Sequence, residues 1–200
     1  MNNNVSARTV KMVLLAILAA IMLILTFTPL GYLKIGIIEI TFMPIPVAVG
    51  AIILGPLAGA IMGVVFGATS FIHALLGLSP FGSALMTINP FYTFILTMVP
   101  RILMGWLTGL IFQKLYQKQR TKAISYGAAS LSAALLNTIL FLSALVLLFG
   151  NTEYFKDFQG NLTGLLLLMG TIFVTNGLVE AIATMIIGGA ISRALIRYRQ

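Results

Sequence analysis

Apolar residues in this chain come in long runs, separated by short polar or Gly/Pro-marked breaks. A helix needs about 20 consecutive apolar residues to cross the hydrocarbon core of a bilayer. The first run covers 12–29 and follows a short basic segment. The second, 38–54, is broken by Gly55-Pro56, and the third occupies 56–73. A Gly/Ser/Pro-rich connection, 74–88, leads to a fourth run, 89–113. That run opens on Asn89-Pro90, which reads as a helix start with Asn89 as N-cap and Pro90 at the first helical position. The basic loop 114–122 precedes a fifth run, 123–149, and the polar loop 150–161 precedes a sixth, 162–191. The pattern predicts an all-α membrane protein of six transmembrane helices, forming a single transmembrane domain over 1–200. A cleaved signal peptide is the alternative for the first run; its length and the spans that follow argue against it.

Composition agrees with the pattern. The chain is 60% hydrophobic and 8% charged, where a soluble domain carries about 25% charged residues. Between Glu39 and Arg101 lie 61 residues without one Asp, Glu, Lys or Arg. That leaves no room for a sizeable cytoplasmic catalytic domain. The chain has no cysteine and one histidine, His73, which excludes disulfides, thiolate sites and multi-His metal motifs. It has no GxxxxGK[ST] phosphate loop.

The net charge of +8 invites a nucleic-acid reading until the positions are examined. Arg8, Lys11, Lys114, Lys118, Arg120, Lys122, Arg193, Arg197 and Arg199 fall on one side of the predicted spans. Only Lys34 and Lys156 fall on the other, and Arg101 lies inside the fourth span. This is the positive-inside pattern, and it places both termini in the cytoplasm. The basicity is therefore a signal of topology and of attraction to anionic lipid. The Asn161-Leu-Thr163 sequon at the edge of the sixth span reads as accidental.

Small and polar residues follow a spacing of four. The third span carries Gly55, Gly59, Gly63 and Gly67, a spacing that lets helix backbones approach closely in lipid. The fourth carries Asn89, Thr93, Thr97, Arg101, Gly105 and Gly109; the fifth Ala129, Ala133 and Asn137; the sixth Asn176, Glu180, Thr184, Gly188 and Ser192. These ridges should face one another, since lipid cannot satisfy their polar groups. Arg101 and Glu180 each lie 13 residues before the first basic residue of the cytoplasmic flank. Their depths therefore match, roughly 20 Å from the inner boundary at about 1.5 Å per residue. An unpaired charge at that depth is costly, so the two are expected to pair. The pair either fixes helix register or forms the polar wall of a ligand cavity, with Arg101 available to an anionic substrate. His73 is either an interfacial histidine or a cavity rim residue. Tyr92 is placed to line a cavity mouth. No nucleophile–base–orienter arrangement is readable, so no enzyme is expected. The lack of a convincing internal repeat argues against a secondary transporter.

Four blocks of sequence are more specific. They are the run from Ile45 to Gly63 (IPVAVGAIILGPLAGAIMG), its continuation from Val65 to Ile72 (VFGATSFI), Val99–Gly105 (VPRILMG) and Asn176–Ala181 (NGLVEA). Together they resemble the substrate-binding S components of energy-coupling factor (ECF) vitamin transporters; with its His73 region and its Arg101 and Glu180, the chain looks most like the pantothenate-specific group. Ala16-x-x-x-Ala20, with Ala19 beside it, is similar to the small-residue motif with which such proteins contact the coupling protein.

The resemblance implies a vitamin bound in a cavity near the outer face, closed by the loops between spans 1 and 2 and between spans 3 and 4. It implies a membrane-embedded T component and two cytoplasmic ABC-type ATPases as partners, in a Gram-positive-type bacterial plasma membrane. ATP and Mg would be used by those ATPases, with no cofactor and no metal in this chain. Substrate would cross by toppling of this subunit. The candidate ligand contacts are His73, Asn89, Tyr92, Arg101, Asn137, Asn176 and Glu180; the candidate partner contacts are Ala16, Ala19 and Ala20. One cationic donor with two asparagines suits pantothenate, which has a carboxylate, two hydroxyls and an amide. Pyridoxine, a thiamin precursor, riboflavin and folate remain as alternatives.

Overall fold

A computed structural model describes residues 7–28, 31–35, 38–118, 122–152, 170 and 177–199. Helix α1 (Ala7–Thr26) is followed by a hairpin of two strands, β1 (Tyr32–Ile35) and β2 (Ile38–Thr41), and then by α2 (Pro44–Leu54), α3 (Pro56–Leu75), α4 (Pro80–Ile88), α5 (Pro90–Lys118) and α6 (Lys122–Phe149). After α6 come α7 (Leu178–Ala183), a π-helical turn (Thr184–Gly188) and α8 (Gly189–Arg199). The last three are continuous in direction and give one membrane-length segment, Leu178–Ile196.

Among the described residues five helices are long and apolar enough to cross a membrane. The run 38–54 is not a single span. Its first four residues form β2, paired antiparallel to β1 in the register Tyr32↔Thr41, Leu33↔Ile40, Lys34↔Glu39, Ile35↔Ile38. The remainder forms α2, whose 11 residues reach about 16 Å at 1.5 Å per residue, half the hydrocarbon thickness. Strong apolarity there reflects burial within the protein, because Pro44 and Pro46–Ile52 are all buried. The connection 74–88 is also corrected: it contains α4. Ser79 caps α4, its hydroxyl accepting from the Gly82 amide at 3.2 Å, with Pro80 in the first turn. This is favoured helix-start chemistry that a loop reading of Gly, Ser and Pro overlooks. Of the sixth run, 162–169 and 171–176 lie outside the described residues.

The glycine ridge of α3 meets α5. A methyl group at Gly59 would collide with the Gly105 carbonyl, and one at Gly63 with the Arg101 carbonyl. The two backbones thus touch without intervening side chains, as the spacing of four anticipates. Around this contact Met22, Met43, Val47, Ala48, Met62, Phe66, Met104 and Ala133 form the largest buried cluster, drawing in α1, α2, α3, α5 and α6. A second cluster joins Leu85 of α4, Leu96 of α5, and Leu145 and Phe149 of α6. Between the two clusters a cavity is left open.

Candidate functional site: a capped cavity between α3, α5, α6 and α7

The cavity has a volume of about 200 Å³. Arg101 of α5 enters it from a helix that the preceding residue has altered. Pro100 has no N–H, so it cannot donate to the Leu96 carbonyl one turn earlier. Arg101 fills that vacancy, its Nη1 donating to Leu96 O at 2.7 Å. The guanidinium carbon lies 4.6 Å from the centre of the Phe141 ring and 5.4 Å from that of Phe66. Two aromatic faces therefore hold the cation where, among the described residues, no counter-ion touches it. Arg101 is 8% exposed, and its Nε has no hydrogen-bond partner among the described residues.

Glu180 of α7 is 4% exposed. Its Oε1 accepts from the Thr41 backbone N–H at 2.9 Å, and its Oε2 from Asn137 Nδ2 at 3.4 Å. Arg101 and Glu180 share the cavity wall but, among the described residues, do not form an ion pair. A direct contact is not made because each has a nearer solution: a carbonyl freed by proline for the cation, and a strand amide and a side-chain amide for the carboxyl group. With Nδ2 turned to Glu180, Asn137 leaves its Oδ1 buried and unpartnered among the described residues. Two residues of the cavity wall thus carry unused polar groups among the described residues, a donor on Arg101 and an acceptor on Asn137. Buried polar groups of this kind are costly unless something completes them.

The hairpin covers one end. The Tyr32 ring stacks on the His73 ring at 4.6 Å, and its hydroxyl is 3.1 Å from Ser70 Oγ. Thr41, Tyr32's cross-strand partner, reaches Glu180 on the opposite wall. Thr93 and Thr97 of α5 and Thr138 of α6 add hydroxyls, and Phe66, Phe81, Phe141, Leu85 and Leu142 add apolar surface. The site is a small, capped, mostly apolar chamber with a few convergent polar groups. This is the character of a small-molecule binding site.

A family model described as the substrate-specific component of ECF transporters matches residues 10–191. The chain belongs to this family. It is thus a multi-pass membrane protein and a transporter component. The pantothenic acid transporter PanT of Lactococcus lactis subsp. cremoris (strain MG1363) is 29% identical over 167 residues, covering 80% of this chain and 79% of its own length.

Of the residues singled out from the sequence, this S component brings His73, Arg101, Asn137 and Glu180 to one cavity. Asn89 and Tyr92 do not line it. Asn89 Oδ1 accepts from the Phe91 and Tyr92 amides at 3.0 and 3.1 Å, capping α5. The Tyr92 ring meets Phe149 edge-on at 6.0 Å. Asn176 lies outside the described residues. Ala16 and Ala20 face outward from α1, whereas Ala19 is half-buried against the Met22 cluster. Sequence reasoning missed Tyr32 and Thr41. Their signal is the short stretch Tyr32–Thr41, with β-branched residues on both sides of Gly36, which suits a hairpin better than the start of a span.

Proposed function

We propose that this S component is the substrate-binding subunit of an ATP-driven vitamin importer and that its ligand is pantothenate. The observation that carries the reading is the pair of unused polar groups in the cavity, a guanidinium donor and an amide acceptor among aromatic and aliphatic walls. Pantothenate offers a carboxylate to Arg101, hydroxyl and amide donors to Asn137 Oδ1, and a gem-dimethyl carbon to the phenylalanines. The PanT relative supports the same ligand. In this reading both termini are cytoplasmic, six segments cross a bacterial plasma membrane, and the cavity opens outward. A T component and two ATPases supply the power stroke, using ATP and Mg, and this subunit topples to deliver its cargo.

The purified chain in detergent is expected to bind one pantothenate without nucleotide or partners, read by equilibrium dialysis of radiolabelled ligand and by mass spectrometry of what co-purifies. In liposomes it should sustain no uptake until the T component and ATPases are added. Accumulation against a gradient by the chain alone would refute the importer-subunit reading. A different co-purifying vitamin would keep that reading and replace the ligand.

The outward pair Ala16 and Ala20 is the proposed contact with the T component. An indole at either position removes the close approach that small residues permit. Ala16→Trp and Ala20→Trp are therefore expected to bind ligand normally but to lose co-purification with the T component. Normal assembly of both variants would place the contact on another face.

A further inference from the structure

Glu180 is a natural candidate for ligand contact, since it is a carboxyl group on a cavity wall. Its hydrogen bonds suggest a different job. Both oxygens are already engaged by protein donors, one from the hairpin and one from α6. The hairpin partner is a backbone amide, Thr41 N, and Thr41 sits opposite Tyr32 at the open end of the two-stranded ladder. This cross-strand pair has two anchors. Tyr32 is held on α3 through Ser70 and His73, and Thr41 is held on α7 through Glu180. The hairpin base therefore bridges the cavity from wall to wall. Among the described residues, the hydrogen bond that holds the hairpin to α7 is made by the Glu180 side chain, which also orients Asn137 at 3.4 Å.

We propose that Glu180 is a positioning residue, a strut that fastens the base of the β1–β2 hairpin to α7 and so sets how fast the cavity opens. It acts on the ligand through Thr41 and Asn137 without touching it. This assignment rests on the cavity being the ligand site, as proposed above. The fastening itself is a property of the empty protein and is testable without ligand.

The chain has no cysteine, so one introduced thiol is a clean reporter. Thr93→Cys puts it on the cavity wall, where Thr93 is buried. The rate at which a charged methanethiosulfonate modifies this thiol in detergent then measures opening. Three changes are made in that background. Glu180→Ala removes the acceptor. Glu180→Asp keeps the charge but is one methylene too short to hold both partners. Glu180→Gln keeps an oxygen for the Thr41 amide, and the Asn137 amide can turn to match its new neighbour. Loss of one such hydrogen bond should raise the modification rate about tenfold in the Ala and Asp variants, with less than about threefold change in Gln. In the same variants, without the reporter, bound radiolabelled pantothenate should dissociate about tenfold faster for Ala and Asp, with association changed by less than about threefold.

A modification rate in Ala and Asp equal to that of the unaltered background would overturn the strut. So would an equal rise in Gln, since charge and not the bond to Thr41 would then govern. If Ala does not fold, the Asp–Gln contrast decides alone. Failure of the wild-type chain to bind pantothenate overturns the ligand assignment and leaves the thiol measurement standing.

Discussion

Gly63→Ala is expected to lower the thermal midpoint of the purified protein by about 2–12 °C, on overpacking costs of about 1–3 kcal/mol and about 2–4 °C per kcal/mol for a chain of this size. Alanine would improve intrinsic helix propensity by up to about 1 kcal/mol, so propensity alone predicts the opposite sign. The steric term wins because the new methyl group would meet backbone. Around Gly63 it overlaps the Arg101 carbonyl and lies 2.8 Å from Ile102 Cα. Neither can rotate away as a side chain would, so relief requires α3 and α5 to separate along their shared ridge. Gly127→Ala is the control, since its methyl group would find only Met185 Cγ at 3.7 Å. Unfolding followed by circular dichroism should show Gly127→Ala unchanged or slightly stabilised. A Gly63→Ala midpoint equal to that of Gly127→Ala would show that the α3–α5 contact yields freely.

Arg101→Gln is expected to leave a folded protein that binds pantothenate about 10–100-fold more weakly, on the worth of a hydrogen bond to a charged group, about 1.5–3 kcal/mol. The fold should tolerate the change because, among the described residues, Arg101 has no carboxylate partner to strand, and glutamine can still donate to the Leu96 carbonyl. What disappears is the unused Nε donor and the positive charge between Phe66 and Phe141. A second ligand makes the test specific. Pantothenol replaces the carboxylate by an alcohol and keeps the rest of the molecule. The wild-type chain should prefer pantothenate strongly, and Arg101→Gln should bind the two about equally, the non-additivity expected of groups in direct contact. A well-folded Arg101→Gln chain that retains the preference would place the carboxylate elsewhere in the cavity.

Local chemistry was the legible part of this protein. Asn89-Pro90 announces the start of α5, and the cap is formed as the residue types require. The spacing of Gly59 and Gly63 announces a backbone contact, and α5 supplies it. Ser79-Pro80 carried the same kind of signal for α4 but was outvoted by the loop-like composition around it. The hairpin and α2 were hidden for a different reason. In a membrane protein, residues buried by protein and residues facing lipid are equally apolar, so the run 38–54 reads as a span whichever surrounds it. Within the site, matched depth brought Arg101 and Glu180 to one cavity but could not decide their partners. The Thr41–Glu180 contact joins positions 139 apart, and nothing local to either residue points to the other. The Leu96–Arg101 bond spans five positions, and the intervening proline was a readable cue.

That proline has a consequence for how the sequence can drift. Pro100 and Arg101 behave as one unit of inheritance. A lineage that replaces the proline by an ordinary residue regains an amide that competes for the Leu96 carbonyl, and the guanidinium loses its tether between the rings. A lineage that first exchanges the arginine for a residue that cannot donate leaves a helix carbonyl unsatisfied in an apolar interior. Either such step disturbs the Leu96 carbonyl's hydrogen bond, so the two residues are expected to change together. A substrate-specific component that kept the proline while abandoning an anionic ligand would have to find another donor for the carbonyl it exposes.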